Sequence, residues 1–281
     1  MSVVYLNGEY LNKDLATVSV DDRGFLLADG LYEVTSAYKG NFFRFEQHIQ
    51  RLIRGLDFLR INYDPVDILE MHLRLLAENK LEDQEASIVY LQITRGVAPR
   101  THCFPPEETL PTVYAFARDF KRPDSKRWGQ GYAAITVPDN RWGRVDIKSI
   151  ALLPNVLAQQ EAIDSGAIEA LLVKDGMVLE GSHSNVFGVF NGVVTTHPAT
   201  HEILHGVVRG SIIELAQKMG MAVIERPIAL DEMRGAEEIF FTGTTAEVRP
   251  TVYLDGCPVG DGKVGPVTKA LYDKFRSVVD K

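Results

Sequence analysis

The chain has 281 residues, of which 45% are apolar and 24% charged, an ordinary composition for a globular protein. This length exceeds what one compact core usually holds, so we expect two domains or one large α/β domain. The formal net charge is −8, and no basic stripe or Lys/Arg-rich amphipathic segment predicts binding to nucleic acid or to a membrane surface. We expect neither a signal peptide nor a membrane-spanning segment. Cys103 and Cys257 predict reduced thiols and a cytoplasmic protein.

The first 120 residues alternate between predicted strands and helices. Asn7-Gly8 and Lys39-Gly40-Asn41 predict hairpin turns. Apolar residues at helical spacing predict a helix from Phe45 to Leu59, and Asp64-Pro65 predicts the start of a second helix. The strands predicted here are Val3 to Leu6, Tyr10 to Leu11, Leu31 to Tyr38, Phe42 to Phe45, Ser87 to Thr94 and Thr112 to Phe120.

A polar stretch from Lys121 to Arg127 predicts a linker. We therefore expect a small N-terminal α/β domain over residues 1–120, a linker over 121–131 and a larger C-terminal domain over 132–281. Helices are predicted in the second domain over Pro154 to Asp164, over Val207 to Met219 and near the C-terminus from about Val267 to Val278. Its predicted strands are Tyr132 to Val137, several between Glu169 and Thr196, Ala222 to Ile228, Glu238 to Thr242 and Thr251 to Leu254. Strands occur both as hairpins and around helices, which indicates an α/β fold with mixed sheets.

Two short motifs have alternative interpretations. His201-Glu202-Ile203-Leu204-His205 matches the H-E-x-x-H pattern of zinc hydrolases, but that chemistry requires an uninterrupted helix, and here Gly206 follows directly. The segment Gly260 to Gly265 matches G-x-G-x-x-G, yet the chain has no room after it for a βαβ unit. We interpret the first as a loop and the second as a turn, and we keep a zinc hydrolase as a remote alternative with no metal predicted.

Four segments together suggest a phosphate-bearing cofactor. Lys148 alone would be interpreted as a surface lysine, but Glu180 to Phe187 adds an acid and polar side chains at a strand end. Thr242 to Glu247 is a Gly/Thr turn with donors for phosphate, and Gly206 to Arg209 opens a helix whose first amides suit an anion. A lysine, an acid and two anion sites indicate pyridoxal 5'-phosphate (PLP). This combination argues against a non-catalytic binding module, because a lysine, an acid and a phosphate site have no obvious use in a protein without a cofactor.

Motifs in order along nearly the whole chain resemble the class-IV (fold-type IV) PLP-dependent aminotransferases. The resemblance implies a small N-terminal α/β domain, a larger C-terminal domain of barrel-like mixed sheets, and a homodimer. The matching runs are Asp22-Arg23-Gly24, Asp29 to Val34, Ile93 to Gly96, Asp146 to Ser149, Leu153 to Ala158, Glu180 to Phe187 and Thr242 to Pro250.

The resemblance assigns roles to individual residues. Lys148 would be the Schiff-base lysine and the proton-transferring group. Glu180 would keep the pyridine nitrogen protonated, and Tyr32 would lie beside the reacting atoms. The phosphate would be bound by Arg51, by the amides of Val207 and Val208, and by Thr244. Without the motif, Arg51 would be interpreted as a charge on a helix surface.

A loop containing Arg100 and His102 resembles the Arg-x-His loop of D-amino-acid (D-alanine) transaminases. There both side chains bind the substrate carboxylate, for which a guanidinium is a natural partner; Tyr32 and Thr245 complete the predicted substrate site. The prediction is transamination between D-amino acids and 2-oxo acids, with a branched-chain or (R)-amine aminotransferase as the alternative. Val208 and His183 depart from the pattern, standing where many relatives have Thr and Ser.

Overall fold

The computed structural model describes residues 2–280. Its contacts divide the chain into two compact units. The first comprises Met1–Lys121 and Ile147–Ala151, and the second comprises Arg122–Asp146 and Leu152–Lys281. A short segment from the middle of the chain therefore belongs to the first unit and brings Lys148 with it. The domain limits predicted above stay a prediction.

The first unit contains a six-stranded antiparallel sheet in the order β2-β1-β6-β5-β3-β4. The hairpin turns at Asn7-Gly8 and Lys39-Gly40 are confirmed, and all four residues have positive φ. The predicted strand Phe42 to Phe45 is wrong beyond Phe42, because Arg44 adopts the left-handed conformation and a helix begins at Phe45. The strands are β1 (Val3–Leu6), β2 (Glu9–Asn12), β3 (Gly30–Tyr38), β4 (Asn41–Phe42), β5 (Ser87–Thr94) and β6 (Thr112–Asp119).

Helices of the first unit are α1 (Arg23–Leu27), α2 (Phe45–Leu59) and α3 (Ile68–Glu78), with a 3₁₀ turn at Lys13–Leu15. The predicted bounds of α2 are confirmed. The predicted start of α3 at Asp64-Pro65 is wrong, because Asp64 accepts a hydrogen bond from the Val66 amide and forms a turn ahead of the helix. Buried side chains such as Leu52, Leu56 and Leu75 pack with Leu91 and Ile93 of β5 to form the core.

The second unit contains a ten-stranded mixed sheet, in which β7 pairs in parallel with β8 and β15 while most other pairs are antiparallel. The mixed sheet expected from the sequence is confirmed. Its path runs β12-β11-β10-β14-β15-β7-β8-β9-β13, with β16 paired to β15. The strands are β7 (Tyr132–Pro138), β8 (Glu169–Lys174), β9 (Met177–Gly181), β10 (Asn185–Phe190), β11 (Val193–Thr196), β12 (Val223–Glu225), β13 (Ile228–Ala229), β14 (Glu238–Gly243), β15 (Glu247–Leu254) and β16 (Cys257–Pro258).

The single strand predicted over Ala222 to Ile228 is wrong. It is broken at Arg226-Pro227, where proline has no amide hydrogen for a ladder, so that β12 pairs with β11 and β13 with β9. The helices of this unit are α4 (Ser125–Gly129), α5 (Leu153–Asp164), α6 (Val207–Lys218), α7 (Leu230–Arg234) and α8 (Pro266–Val279). Within residues 2–280, none of the helices is long and apolar enough to cross a membrane.

Candidate active site

Lys148 lies beside Tyr32 in the first unit. Its ammonium nitrogen is 4.1 Å from the centroid of the Tyr32 ring. The Lys148 carbonyl accepts a hydrogen bond of 3.0 Å from the Tyr32 amide, and Ser149 forms an isolated bridge with Leu31. The residues around Lys148 form no strand of their own, yet this pairing fixes them along β3. The structure thus brings together two of the residues predicted from the sequence.

Arg51 is buried and does not lie on the helix surface. Its guanidinium donates to both carboxylate oxygens of Glu33, over 2.6 and 2.9 Å. His48, one helical turn earlier on α2, contributes a third bond from Nδ1 to Glu33, over 2.9 Å. Burial would raise the pKa of Glu33, but the charges of Arg51 and His48 outweigh it and hold this pKa well below its usual range. An ionised Glu33 therefore fixes the orientation of Arg51.

Sequence reasoning missed Glu33 and His48. A signal was present, since Glu33 shares with Leu31 the buried face of β3 and His48 has i,i+3 spacing with Arg51. Neither pattern identifies the partner, because the two elements meet only in the folded chain.

The loop between β5 and β6 carries Arg100 and His102, and both side chains are exposed. Their contact with a substrate carboxylate therefore stays a prediction. Below the loop, Arg95 is buried and donates to both carboxylate oxygens of Asp29.

Glu180 is fully buried at the end of β9 in the second unit. Its oxygens accept hydrogen bonds from the Leu204 amide over 3.0 and 3.1 Å and from the Asn185 amide group over 2.8 Å. Arg141 donates a third, short bond and is itself held by Asp139. Burial raises the pKa of Glu180 to about 7 despite the opposing charge of Arg141. The site therefore holds an acid that can be ionised or protonated near neutral pH.

The start of α6 lies next to Glu180. Gly206 caps this helix without a side-chain hydrogen bond, so the amides of Val207 and Val208 belong to a first helical turn that has no capping side chain. A Cβ on Gly206 would lie 1.9 Å from the side-chain oxygen of Asn185, the residue that donates to Glu180. Only glycine fits at this position, and the phosphate-binding amides predicted from the sequence thus adjoin the predicted acid. Val208 itself is buried.

The predicted Gly/Thr turn joins the same region. Asn185 pairs with Thr242 across β10 and β14, and Thr244 and Thr245 follow in the half-buried turn before β15. His183, exposed beside this turn, lies 3.0 Å from the Ser182 hydroxyl and 3.3 Å from the Glu169 carboxylate. The structure therefore gathers Glu180, the start of α6 and the Thr244 turn at one end of the second unit's sheet.

The H-E-x-x-H alternative is wrong. Residues 197–206 form turns and loop, not the helix that a zinc site of this kind requires. His205 is within 3.0 Å of the Thr200 carbonyl oxygen. Across residues 2–280, three or more His, Cys, Asp or Glu side chains nowhere form a group that could hold a metal ion.

The two sets of residues fit PLP by observations of this structure. The second unit offers the first amides of a helix that begins after a glycine where no Cβ fits, and a buried acid whose partners all donate. The first unit offers a half-buried lysine beside an aromatic ring and a buried arginine fixed by a carboxylate. Groups of these kinds are the ones that bind a phosphate, a pyridine nitrogen and an aldehyde in PLP proteins.

Comparison with known proteins identifies the family. A family model described as "Amino-transferase class IV" matches residues 30–252. The chain is 38% identical to a D-alanine aminotransferase of Staphylococcus aureus (strain MSSA476), covering 100% of this chain and 99% of the relative. It is 40% identical to a D-alanine aminotransferase of Listeria monocytogenes serotype 1/2a (strain 10403S), covering 97% and 94%.

Solved structures agree with this result. The branched-chain amino acid aminotransferase of Escherichia coli matches with a TM-score of 0.90 at 26% identity, covering 99% of this chain and 94% of that one. The branched-chain aminotransferase of the archaeon Thermoproteus uzoniensis, solved with norvaline, matches with a TM-score of 0.86 at 25% identity and the same coverage. The chain belongs to the class IV aminotransferases. The predicted fold type IV and the predicted cofactor, PLP, are confirmed.

Proposed function

We propose that the chain transfers amino groups between D-amino acids and 2-oxo acids with PLP as cofactor. The observation that carries the proposal is the full-length identity of 38–40% to D-alanine aminotransferases of several species. The branched-chain enzymes that share the fold match at 25–27%. Their lower identity favours the D-amino-acid assignment over the branched-chain alternative.

We propose the following roles for the residues that would hold the cofactor. Lys148 is the covalent attachment point, and Glu180 faces the ring nitrogen. Bound PLP supplies an aldehyde that links to amines and a ring that accepts electrons from the substrate Cα. The groups that would bind its phosphate are Arg51, the amides of Val207 and Val208, and Thr244.

Proton transfer would be carried out by two side chains. The Lys148 amine would take a proton from the substrate Cα and pass it to the C4′ carbon of the cofactor, and it would move a proton in the opposite direction when the 2-oxo acid is converted. Glu180 holds a proton at the ring nitrogen, a role supported by a pKa near 7 and by burial that excludes water. Tyr32, Arg100, His102 and Thr245 would orient the substrate, with the guanidinium of Arg100 facing its carboxylate.

We also infer that the protein is a homodimer that works in the cytoplasm. The dimer follows from the family resemblance, and it is supported by large apolar side chains that are exposed in each unit, such as Phe25 and Leu157. The inferred location in the cytoplasm is supported by two free, exposed thiols, Cys103 and Cys257.

The test is to mix PLP-loaded protein with D-alanine or L-alanine and to follow both the cofactor absorbance and pyruvate. We expect D-alanine to change the spectrum and yield pyruvate, and L-alanine to react far more slowly. Faster reaction with L-amino acids or with a carboxylate-free (R)-amine would move the protein to the alternative class. Borohydride reduction followed by peptide mass spectrometry should place the pyridoxyl group on Lys148, whereas an adduct on Lys174 or Lys263 would contradict the assigned site.

A further inference from the structure

Arg23 belongs to the Asp22-Arg23-Gly24 run, to which the proposed mechanism gives no role. Its side chain is buried, with an exposed fraction of 3%. The guanidinium donates from Nε to Asp29 over 2.8 Å and from Nη1 to the carbonyl oxygen of Thr101 over 2.9 Å. Thr101 is the residue between Arg100 and His102. A buried guanidinium therefore binds one peptide group in the part of the loop where Arg100, Thr101 and His102 are exposed.

The backbone of this run is held so that Arg23 can reach the loop. The Asp22 carboxylate accepts from the Gly24 amide over 2.8 Å and from the Thr94 hydroxyl over 2.9 Å. A Cβ on Gly24 would lie 2.2 Å from a Thr94 methyl carbon, so glycine is needed for this close approach. The Arg23 amide in turn donates to the Gly96 carbonyl over 2.9 Å.

Asp29 ties Arg23 to the base of the loop. Its carboxylate is shared by Arg23 and Arg95, and two further Arg95 donors reach the carbonyls of Leu59 and Arg60 at the end of α2. Burial would raise the pKa of Asp29, but the two guanidiniums outweigh it and hold this pKa below its usual range. The carboxylate stays ionised, and it fixes the direction in which Arg23 points.

From these contacts we infer that Arg23 is a positioning residue, which holds the Thr101 peptide so that Arg100 and His102 face the substrate carboxylate. The inference rests on the proposed function, because it assumes that this loop binds the carboxylate. Arg23 touches neither substrate nor cofactor. Its loss should therefore weaken substrate binding and leave proton transfer at Lys148 unchanged.

The test compares Arg23→Gln and Arg23→Lys with the wild type, using PLP-loaded enzyme and D-alanine. A charged hydrogen bond is lost, so KM for D-alanine should rise roughly tenfold, while kcat changes less than about threefold. Arg54→Gln, which removes an exposed guanidinium from α2, is the matched control and should leave both constants unchanged. An equal fall in kcat, or an unchanged KM, would overturn the inference. If Arg23→Gln does not fold, the same two constants are measured on Arg23→Lys, which keeps a cation beside Asp29. The same outcomes then support or overturn the inference.

A combined mutant separates this inference from the proposed function. If Arg23 acts through Arg100 and His102, adding Arg23→Gln to a variant that already carries Arg100→Ala and His102→Ala should not raise KM further. Additive increases in KM would show that Arg23 supports the fold by another route and would overturn its positioning role. An unchanged KM in the variant that carries only Arg100→Ala and His102→Ala would instead reject the carboxylate-binding loop, and with it the premise of the inference.

Discussion

At the residue scale, Glu180 shows how burial and hydrogen-bond donors together set the pKa of a carboxyl group, here one that we propose to face a ring nitrogen. Arg141, Asn185 and the Leu204 amide all donate to it, which favours the carboxylate, whereas burial favours the neutral acid and raises the pKa to about 7. The opposing effects leave the group able to hold a proton in common with a nearby base. A carboxylate on the surface would be fully ionised near neutral pH. The surrounding water would weaken its interaction with a positive charge.

Replacement of Glu180 by glutamine should slow the chemical step. The amide cannot carry the charge that stabilises a protonated ring nitrogen, so the half-reaction of PLP-loaded Glu180→Gln with D-alanine should be roughly 10²-fold slower. Stopped-flow absorbance of the cofactor measures this rate directly. Glu161→Gln, which changes an exposed acid of α5, serves as the control. A rate equal to that of the wild type in a folded, PLP-loaded Glu180→Gln protein would leave Glu180 with a structural role only.

At the scale of the element, local sequence predicted most helices and strands, and it failed where one local signal fits two different structures. The bounds of α2 and β5 are predicted correctly because their apolar patterns agree with their burial. The Asp64-Pro65 signal is wrong for a helix start, since Asp64 caps a tight turn equally well.

In the candidate site, too, the sequence predicts some residues and misses others. The resemblance selects Glu180 and Arg51, but it does not supply the residues that orient them. Arg141 is 39 residues from Glu180, and Arg51 is 18 residues from Glu33. Partners at such separations have no spacing rule, so only the folded chain reveals them.

The ion pair between Arg51 of α2 and Glu33 of β3 should contribute strongly to the stability of the first unit. Glu33→Gln leaves a buried guanidinium without its carboxylate, which should lower the free energy of unfolding by about 3–5 kcal/mol. Urea unfolding of the PLP-free protein measures the change. Glu78→Gln breaks the exposed pair with Arg74 and should alter the free energy by less than about 1 kcal/mol. If both variants changed the free energy of unfolding by similarly small amounts, the ion pair between Arg51 and Glu33 would not contribute strongly to stability.

The pH dependence of the same variant gives an independent check. The pKa of Glu33 lies below its usual 4.5 in the folded chain, so the stabilisation is present above pH 4.5 and is lost as pH falls below that value. The difference in the free energy of unfolding between the wild type and Glu33→Gln should therefore become smaller when urea unfolding is repeated below pH 4.5.

At the scale of the whole molecule, strand order depends on pairings that no local pattern contains. In the first unit, β1 pairs with β6, more than a hundred residues later. In the second, β15 pairs in parallel with β7 from the start of the unit. Hairpins are predictable because the turn that joins their two strands is a short local signal in the sequence. The pairings between distant strands are instead set by burial of the whole sheet. The class of fold was accessible through the ordered motifs, which span nearly the full chain.

Oligomeric state is the property of the whole molecule that we expect to follow from the apolar surface. Leu153, Val156 and Leu157 lie at i, i+3 and i+4 on α5, so they form one stripe, and their exposed fractions are 69, 59 and 62%. A stripe of this kind is stabilised when a partner covers it, at roughly 25 cal/mol per Å² of apolar area. Sedimentation equilibrium should therefore give about twice the mass of one chain, 31.3 kDa.

Introducing charge on the stripe should shift this equilibrium towards the monomer. Val156→Glu with Leu157→Glu would force two carboxylates into a contact between copies, so the monomer fraction at micromolar concentration should rise at least tenfold. Met219→Glu, which changes an exposed apolar residue at the end of α6, is the control and should leave the mass at that of the dimer. A wild-type protein that sediments as a monomer at every concentration would reject the homodimer. A dimer that withstands both charges would instead place its interface away from α5.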